Sequence, residues 1–130
     1  MIKKTITYVD YNGVERTETH YFNLTEAEVT EMQYGVNGGY SEMCQKIIEA
    51  KDQPSIIAVF KDLLLKAYGE KSLDGKYFLK EDENGKPLSN KFRQTEAYSK
   101  LFMELATDDK AAAEFINGIT PPAAKKAQAE

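Results

Sequence analysis

Alternating apolar and polar residues open the chain and predict a β-hairpin. The two strands are residues 2–11 and 14–22, on either side of Asn12-Gly13, a pair that favours the positive φ angles of a tight two-residue turn. That turn would place on one face the side chains of Ile2, Ile6, Tyr8, Thr17, Thr19 and Tyr21. An isolated hairpin is only marginally stable in water, so we expect this one to pack on helices or on another strand.

Apolar residues at helical spacing predict three helices after the hairpin. Thr25 and Glu28 have the spacing of a capping box and start the first, which should end near Gln33. The stripe of the second begins at Tyr40 and comprises Tyr40, Met43, Cys44, Ile47 and Ile48. The third spans 54–68 and is apolar over more than half its circumference, so we expect it to be the most buried element, with Gly69 ending it.

The C-terminal half is predicted to begin irregularly and to end in two helices. Turns at Asp74-Gly75 and Asn84-Gly85 flank a short strand at 77–79. Thr95 caps the first of the two helices. The second starts at Thr107 or Asp108 and stops at Gly118.

Taken together, these elements predict an α+β fold, with an N-terminal β-hairpin packed on a bundle of four to five helices. A single domain covers residues 1–119. Residues 120–130 are rich in Pro, Ala and Lys and lack an apolar period, so they are predicted to be a flexible tail.

Composition narrows the function classes. The chain has 130 residues, of which 42% are hydrophobic, enough for one core. Its net charge of −4 argues against non-specific nucleic-acid binding. The single cysteine, Cys44, excludes an internal disulfide and suits a reducing cytoplasm. The N-terminus lacks the apolar segment of a signal peptide, and no apolar run reaches the length of a membrane span.

Catalytic, cofactor and metal motifs are not evident in the sequence. His20 could act as a general base, but an ordinary strand histidine is favoured. Cys44 could be a nucleophile, yet its place on an apolar stripe favours a buried structural cysteine. The acidic clusters 81–83 and 108–109 lack calcium-loop spacing. Basic and aromatic residues mix between 71 and 93, which can bind single-stranded nucleic acid, but the interleaved acids favour a solvated loop.

Five blocks of sequence nevertheless resemble the tail assembly chaperones of long-tailed phages that infect Gram-positive bacteria. They are residues 11–18, 22–25, 60–72, 94–108 and 111–119. The resemblance implies a non-enzymatic protein of the host bacterial cytoplasm that needs no cofactor. It would coat the tape measure protein and keep it soluble until tail tube subunits replace it, which makes the tail tube protein a further candidate partner.

The same resemblance implies that a frameshift-extended form can accompany a short form, and the Pro-Pro-Ala-Ala sequence of the tail would suit a linker into such an extension. The rival function is a structural virion component, such as a head–tail joining or tail-completion subunit. A phage-encoded enzyme or host-defence inhibitor is a third class.

Two sets of residues are predicted to contact other proteins. Met and Tyr side chains suit an adaptable groove for an amphipathic segment, and the candidates are Met32, Tyr34, Tyr40, Met43 and Met103, for which the alternative role is core packing. Self-association into rings or spirals is expected through the 2–22 hairpin or through residues 70–94, where the candidates are Tyr77, Phe78 and Phe92.

Overall fold

The computed structural model of this chain describes residues 1–35 and 53–121, which form a four-stranded sheet and five helices. In chain order these are β1 (Ile2–Val9), β2 (Glu15–Phe22), α1 (Glu26–Gly35), α2 (Gln53–Ala67), β3 (Tyr68–Lys71), β4 (Phe78–Leu79), α3 (Ser89–Phe92), α4 (Glu96–Ala106) and α5 (Asp109–Ile119). The sheet is antiparallel with strand order β1-β2-β3-β4. The predicted α+β class, with an N-terminal hairpin and five helices, is therefore confirmed. The helix predicted from Tyr40, with Cys44, lies outside the described residues, as does the tail beyond Pro121.

The hairpin turn is one residue longer than predicted. The Asp10 amide donates to the Val14 carbonyl at 2.9 Å, so Tyr11, Asn12 and Gly13 form a three-residue loop. Gly13 has a φ of 78°, the left-handed conformation that this loop type requires at its last position. The Asp10 carboxylate accepts hydrogen bonds from the Asn12 and Val14 amides at 2.9 and 3.0 Å, and so stabilises the longer turn.

This extra loop residue shifts the register and reverses the faces of β2. Tyr8 pairs with Arg16 rather than with Thr17, and Ile2 pairs with Phe22. A one-residue slip moves every side chain of a strand to the opposite face. The prediction that Thr17, Thr19 and Tyr21 share a face with Ile6 and Tyr8 was therefore wrong, and that face instead carries Arg16, Glu18, His20 and Phe22.

The core lies between the inner face of this sheet and the helices. Phe22 is fully buried, and its ring packs edge-on against Tyr68, Phe92 and Phe115, with centroids between 5.3 and 5.8 Å apart. Among the described side chains of α2, the predicted central helix, those of Phe60, Leu63, Leu64 and Ala67 are buried. Ile57 is 45% exposed, so it lies off the buried face that Phe60 and Leu64 share.

Two glycines allow close packing instead of ending helices. α2 ends at Ala67, and Gly69 already lies in β3, where a Cβ atom would come within 2.5 Å of the Phe78 ring. Gly118 lies inside α5, and a Cβ atom there would collide with the Ile2 side chain. Both helices end within two residues of the predicted glycines, but neither Gly69 nor Gly118 has the positive φ of a C-terminal cap, and the contacts of both are with β-strand residues.

Candidate functional site

A groove of about 510 Å³ opens between α1, α2 and the segment that follows β4. Each helix contributes three lining residues at the i, i+3, i+4 spacing of one helical face: Glu28, Glu31 and Met32 from α1, and Asp62, Leu65 and Lys66 from α2. The other lining residues are Leu24, Tyr68, Lys80, Glu81, Pro87 and Ser89. Its volume lies within the range of roughly 300–1,000 Å³ that is usual for ligand pockets.

The lysine at position 80 joins the three walls of this groove. Its ammonium group donates to the Asn23 carbonyl at 2.9 Å and to the Lys66 carbonyl near the end of α2. It also lies 3.2 Å from the Glu28 carboxylate of α1. The Asn23 amide in turn donates to the Ala67 carbonyl at 2.8 Å. Burial lowers the pKa of Lys80, and the attraction of Glu28 opposes that shift.

The capping box predicted at the start of α1 sets the position of Glu28. Its carboxylate accepts a hydrogen bond from the Thr25 amide at 2.9 Å, while its own amide donates to the Thr25 hydroxyl at 3.1 Å. One carboxylate oxygen is thus bound to the backbone, and the other is left to face Lys80. The capping box is confirmed, and it also holds one wall of the groove.

The groove combines an apolar floor with an acidic rim. The floor is formed by Leu24, Met32, Leu65, Tyr68 and Pro87. Four carboxylates and two ammonium groups line the groove, a formal balance of −2, and one of those ammonium groups is already engaged by Glu28. Within residues 1–35 and 53–121, no ion pair engages the exposed side chains of Glu31, Asp62 or Glu81.

A second hollow surrounds the single histidine. The His20 ring contacts the stacked rings of Phe92 and Tyr68 at a tilt, with centroids 5.0 and 6.2 Å away, and burial lowers its pKa. Nε2 is buried without a hydrogen-bond partner in the described part of the chain, and the Glu18 carboxylate lies 3.8 Å away. That carboxylate accepts a 2.6 Å hydrogen bond from the Tyr8 hydroxyl. These contacts fit the strand histidine favoured by the sequence.

The predicted partner-binding residues fall in different places. Met32 is only 7% exposed and lies in the floor of the groove. Met103 is 54% exposed on α4 and does not line that groove. The backbone of Tyr34 belongs to α1, but its side chain lies outside the described part of the structure, as do Tyr40 and Met43 entirely. Of the two candidates whose side chains the structure describes, Met32 lies at the groove and Met103 does not, and the partner-binding role of all five stays a prediction.

The predicted self-association residues also separate. Tyr77 is 55% exposed, and Phe78 is half-buried against Gly69. Phe92 is 2% exposed and stacks on Tyr68 at 4.3 Å, so its ring belongs to the core of the protomer. Two further apolar side chains in the same region are exposed, those of Leu73 and Leu79.

Helix α4 lies along the hairpin that was the other predicted contact region. Lys100 donates to the Thr7 carbonyl of β1 at 2.7 Å. Glu104 lies 3.6 Å from Lys4, on the same strand. Self-association through the hairpin or through residues 70–94 stays a prediction.

Sequence reasoning missed most of the groove. Asp62, Lys80 and Pro87 come from separate parts of the chain, and no local pattern joins them. The available signal was the shared i, i+3, i+4 placement of an apolar and two charged residues on both α1 and α2.

The parts of the chain that the structure describes hold neither a cluster of metal ligands nor a membrane-spanning helix. Among residues 1–35 and 53–121, no three His, Cys, Asp or Glu side chains approach closely enough to hold a metal ion. No helix in those ranges has the length and apolar content needed to cross a bilayer.

Comparison with known proteins places the chain in a family. The model of one family, described as phage tail assembly chaperone, matches residues 1–130. Neither the curated proteins nor the solved structures include a match. Because the family model covers the full sequence, the chain belongs to the phage tail assembly chaperone family.

Proposed function

We propose that this chain binds the tape measure protein of its phage in the host cytoplasm and keeps that protein soluble during tail assembly, without an enzymatic step. The observation that carries the proposal is the groove between α1 and α2, where the partly exposed Leu65 and the exposed Pro87 leave apolar surface beside buried Met32. A tape measure helix exposes apolar stripes until the tail tube encloses it, and exposed stripes of this kind aggregate unless they are covered. A groove walled by two helices suits a third helix that buries such a stripe.

Co-expression with the tape measure protein from the same phage genome tests this proposal. We expect the tape measure protein to be insoluble alone and soluble when this chain is present, and to co-purify with it. The matched control is co-expression with an unrelated acidic protein of similar size. Equal solubility with the control would contradict the proposal.

The fate of the chain separates a chaperone from a structural virion component. A chaperone is replaced by tail tube subunits, so we expect this chain to be missing from purified mature particles. Quantitative mass spectrometry of virions measures this directly. A stoichiometric amount in mature tails would favour the head–tail joining or tail-completion role instead.

A further inference from the structure

We infer that the groove between α1 and α2 takes an amphipathic helix whose apolar stripe is flanked by Lys or Arg residues, and that the tape measure segments bound by this chain are of that class. The inference rests on the proposed function and specifies the chemistry of the partner. It is carried by the charges at the rim of the groove and by the shape of its walls.

The shape of the groove favours a helical partner. Two of its walls are α-helices, and neither β1 nor the outer edge of β4 lines it. An extended peptide would need an unpaired strand edge with which to form backbone hydrogen bonds. A helix needs only an apolar surface, which the partly exposed Leu65 and the exposed Pro87 supply beside the buried Met32.

The charge of the rim favours basic residues beside the apolar stripe. Glu31 on α1 and Asp62 on α2 expose carboxylates from the two helices that line the groove, and Glu81 adds a third from the segment after β4. Lys80 does not offset them, because its ammonium group is held by Glu28 and by two backbone carbonyls. Lys66 is the remaining cation in the lining. Lys or Arg residues on either side of a bound stripe would therefore meet opposite charge, and Asp or Glu residues would be repelled.

Two synthetic peptides test the inference. Both are 18-residue amphipathic helices with the same leucine stripe, and they differ only in carrying lysine or glutamate beside it. Fluorescence anisotropy at low and high salt measures their affinity for the full chain. We expect the lysine peptide to bind at least tenfold more tightly at low salt, and this preference to shrink as salt screens the exposed charges. Equal affinity for the two peptides overturns the inference.

Charge reversal at the rim provides the decisive comparison. Glu31→Lys with Asp62→Lys should weaken binding of the lysine peptide by roughly tenfold or more, because two attractive pairs become repulsive. The control, Glu15→Lys with Glu114→Lys, changes the net charge equally at exposed positions that do not line the groove. Equal weakening in both double variants overturns the inference, since it would reflect net charge alone.

The solubility of the tape measure protein, measured with the unmodified chain and with the rim double variant, tests the groove assignment and the chaperone function separately. If the rim double variant keeps the tape measure protein soluble as well as the unmodified chain does, the groove assignment fails while the chaperone function stands. If the unmodified chain gives no solubility, the chaperone function fails. A rim variant that changes only the oligomeric state of the chain would show that a second copy fills the groove, and this too overturns the inference.

Discussion

Substituting Gly69 by alanine tests how β4 is held against β3. In an ordinary strand this change stabilises a protein, because glycine loses more backbone entropy on folding, an effect of roughly 0.5–1 kcal/mol. Here the new Cβ atom would lie 2.5 Å from Cε2 of Phe78 and 2.9 Å from the Leu79 carbonyl oxygen. The first contact can be relieved by a ring movement, but the second requires the backbone of β4 to move.

We therefore expect Gly69→Ala to destabilise the protein, whereas the same change in an ordinary strand would stabilise it. Overpacking of this kind costs about 1–3 kcal/mol, which exceeds the entropic gain. We expect Gly69→Ala to lower the free energy of unfolding by about 1–2 kcal/mol, measured by urea denaturation followed by circular dichroism.

A double-mutant cycle with Phe78→Ala identifies the contact responsible. Removing the ring leaves only the approach of Cβ to the Leu79 carbonyl, so the cost of Gly69→Ala should fall by at least 0.5 kcal/mol, the smallest coupling usual for residues in contact. Stabilisation by Gly69→Ala in the unmodified background would refute the reasoning, because Gly69 would then behave as an ordinary strand glycine.

Three further predictions concern other parts of the fold. Lys80→Met should lower the free energy of unfolding by about 1–3 kcal/mol in urea denaturation, because it leaves Glu28 and two carbonyls without their donor, whereas Lys86→Met should have little effect. Burial lowers the pKa of His20, so the unfolded chain binds a proton before the folded chain does as the pH falls. The contribution of His20 to the free energy of unfolding should therefore be fully present above pH ~6.5 and be lost as the pH drops towards the folded-state pKa. His20→Gln should remove that part of the pH dependence of the urea midpoint. If the chain self-associates as predicted, Leu73→Ser with Tyr77→Ser should lower the mass that light scattering gives across a concentration series, since both side chains are exposed. An unchanged mass would exclude this surface.

Local signals in the sequence predicted the elements that local interactions stabilise. The capping box at Thr25, the cap at Thr95 and the cap at Asp108 are present, with Thr95 accepting from the Tyr98 amide and Asp108 from two amides of the following turn. The turns at Gly75 and Gly85 also form, with the positive φ values expected of them. In each case the groups that interact lie within a few residues, so their spacing along the chain is sufficient to identify them.

Features that depend on distant partners were missed. The hairpin register is an exception, because it was missed although its cause is local: the Asp10 carboxylate binds the Asn12 and Val14 amides and so stabilises a three-residue loop instead of the shorter Asn-Gly turn. Gly69 and Gly118 resemble helix stops in sequence, but their neighbours are Phe78 and Ile2, which only the folded chain brings near. Met32 was identified as a groove residue from its type alone, whereas Asp62 and Lys80 have no signal that would connect them with it.

The same lysine links the stability of the fold to the shape of the groove. Lys80 directly follows β4, so the β3–β4 pairing that Gly69 permits also sets where its ammonium group reaches the ends of α1 and α2. Changes at Gly69 or Lys80 should therefore disturb stability and partner binding together. Glu31 and Asp62 are exposed and make no ion pair in the described part of the chain, so their reversal should alter binding with little loss of stability. If the groove binds no partner, the variants at Glu31 and Asp62 should change neither binding nor stability, and only those at Gly69 or Lys80 should have an effect.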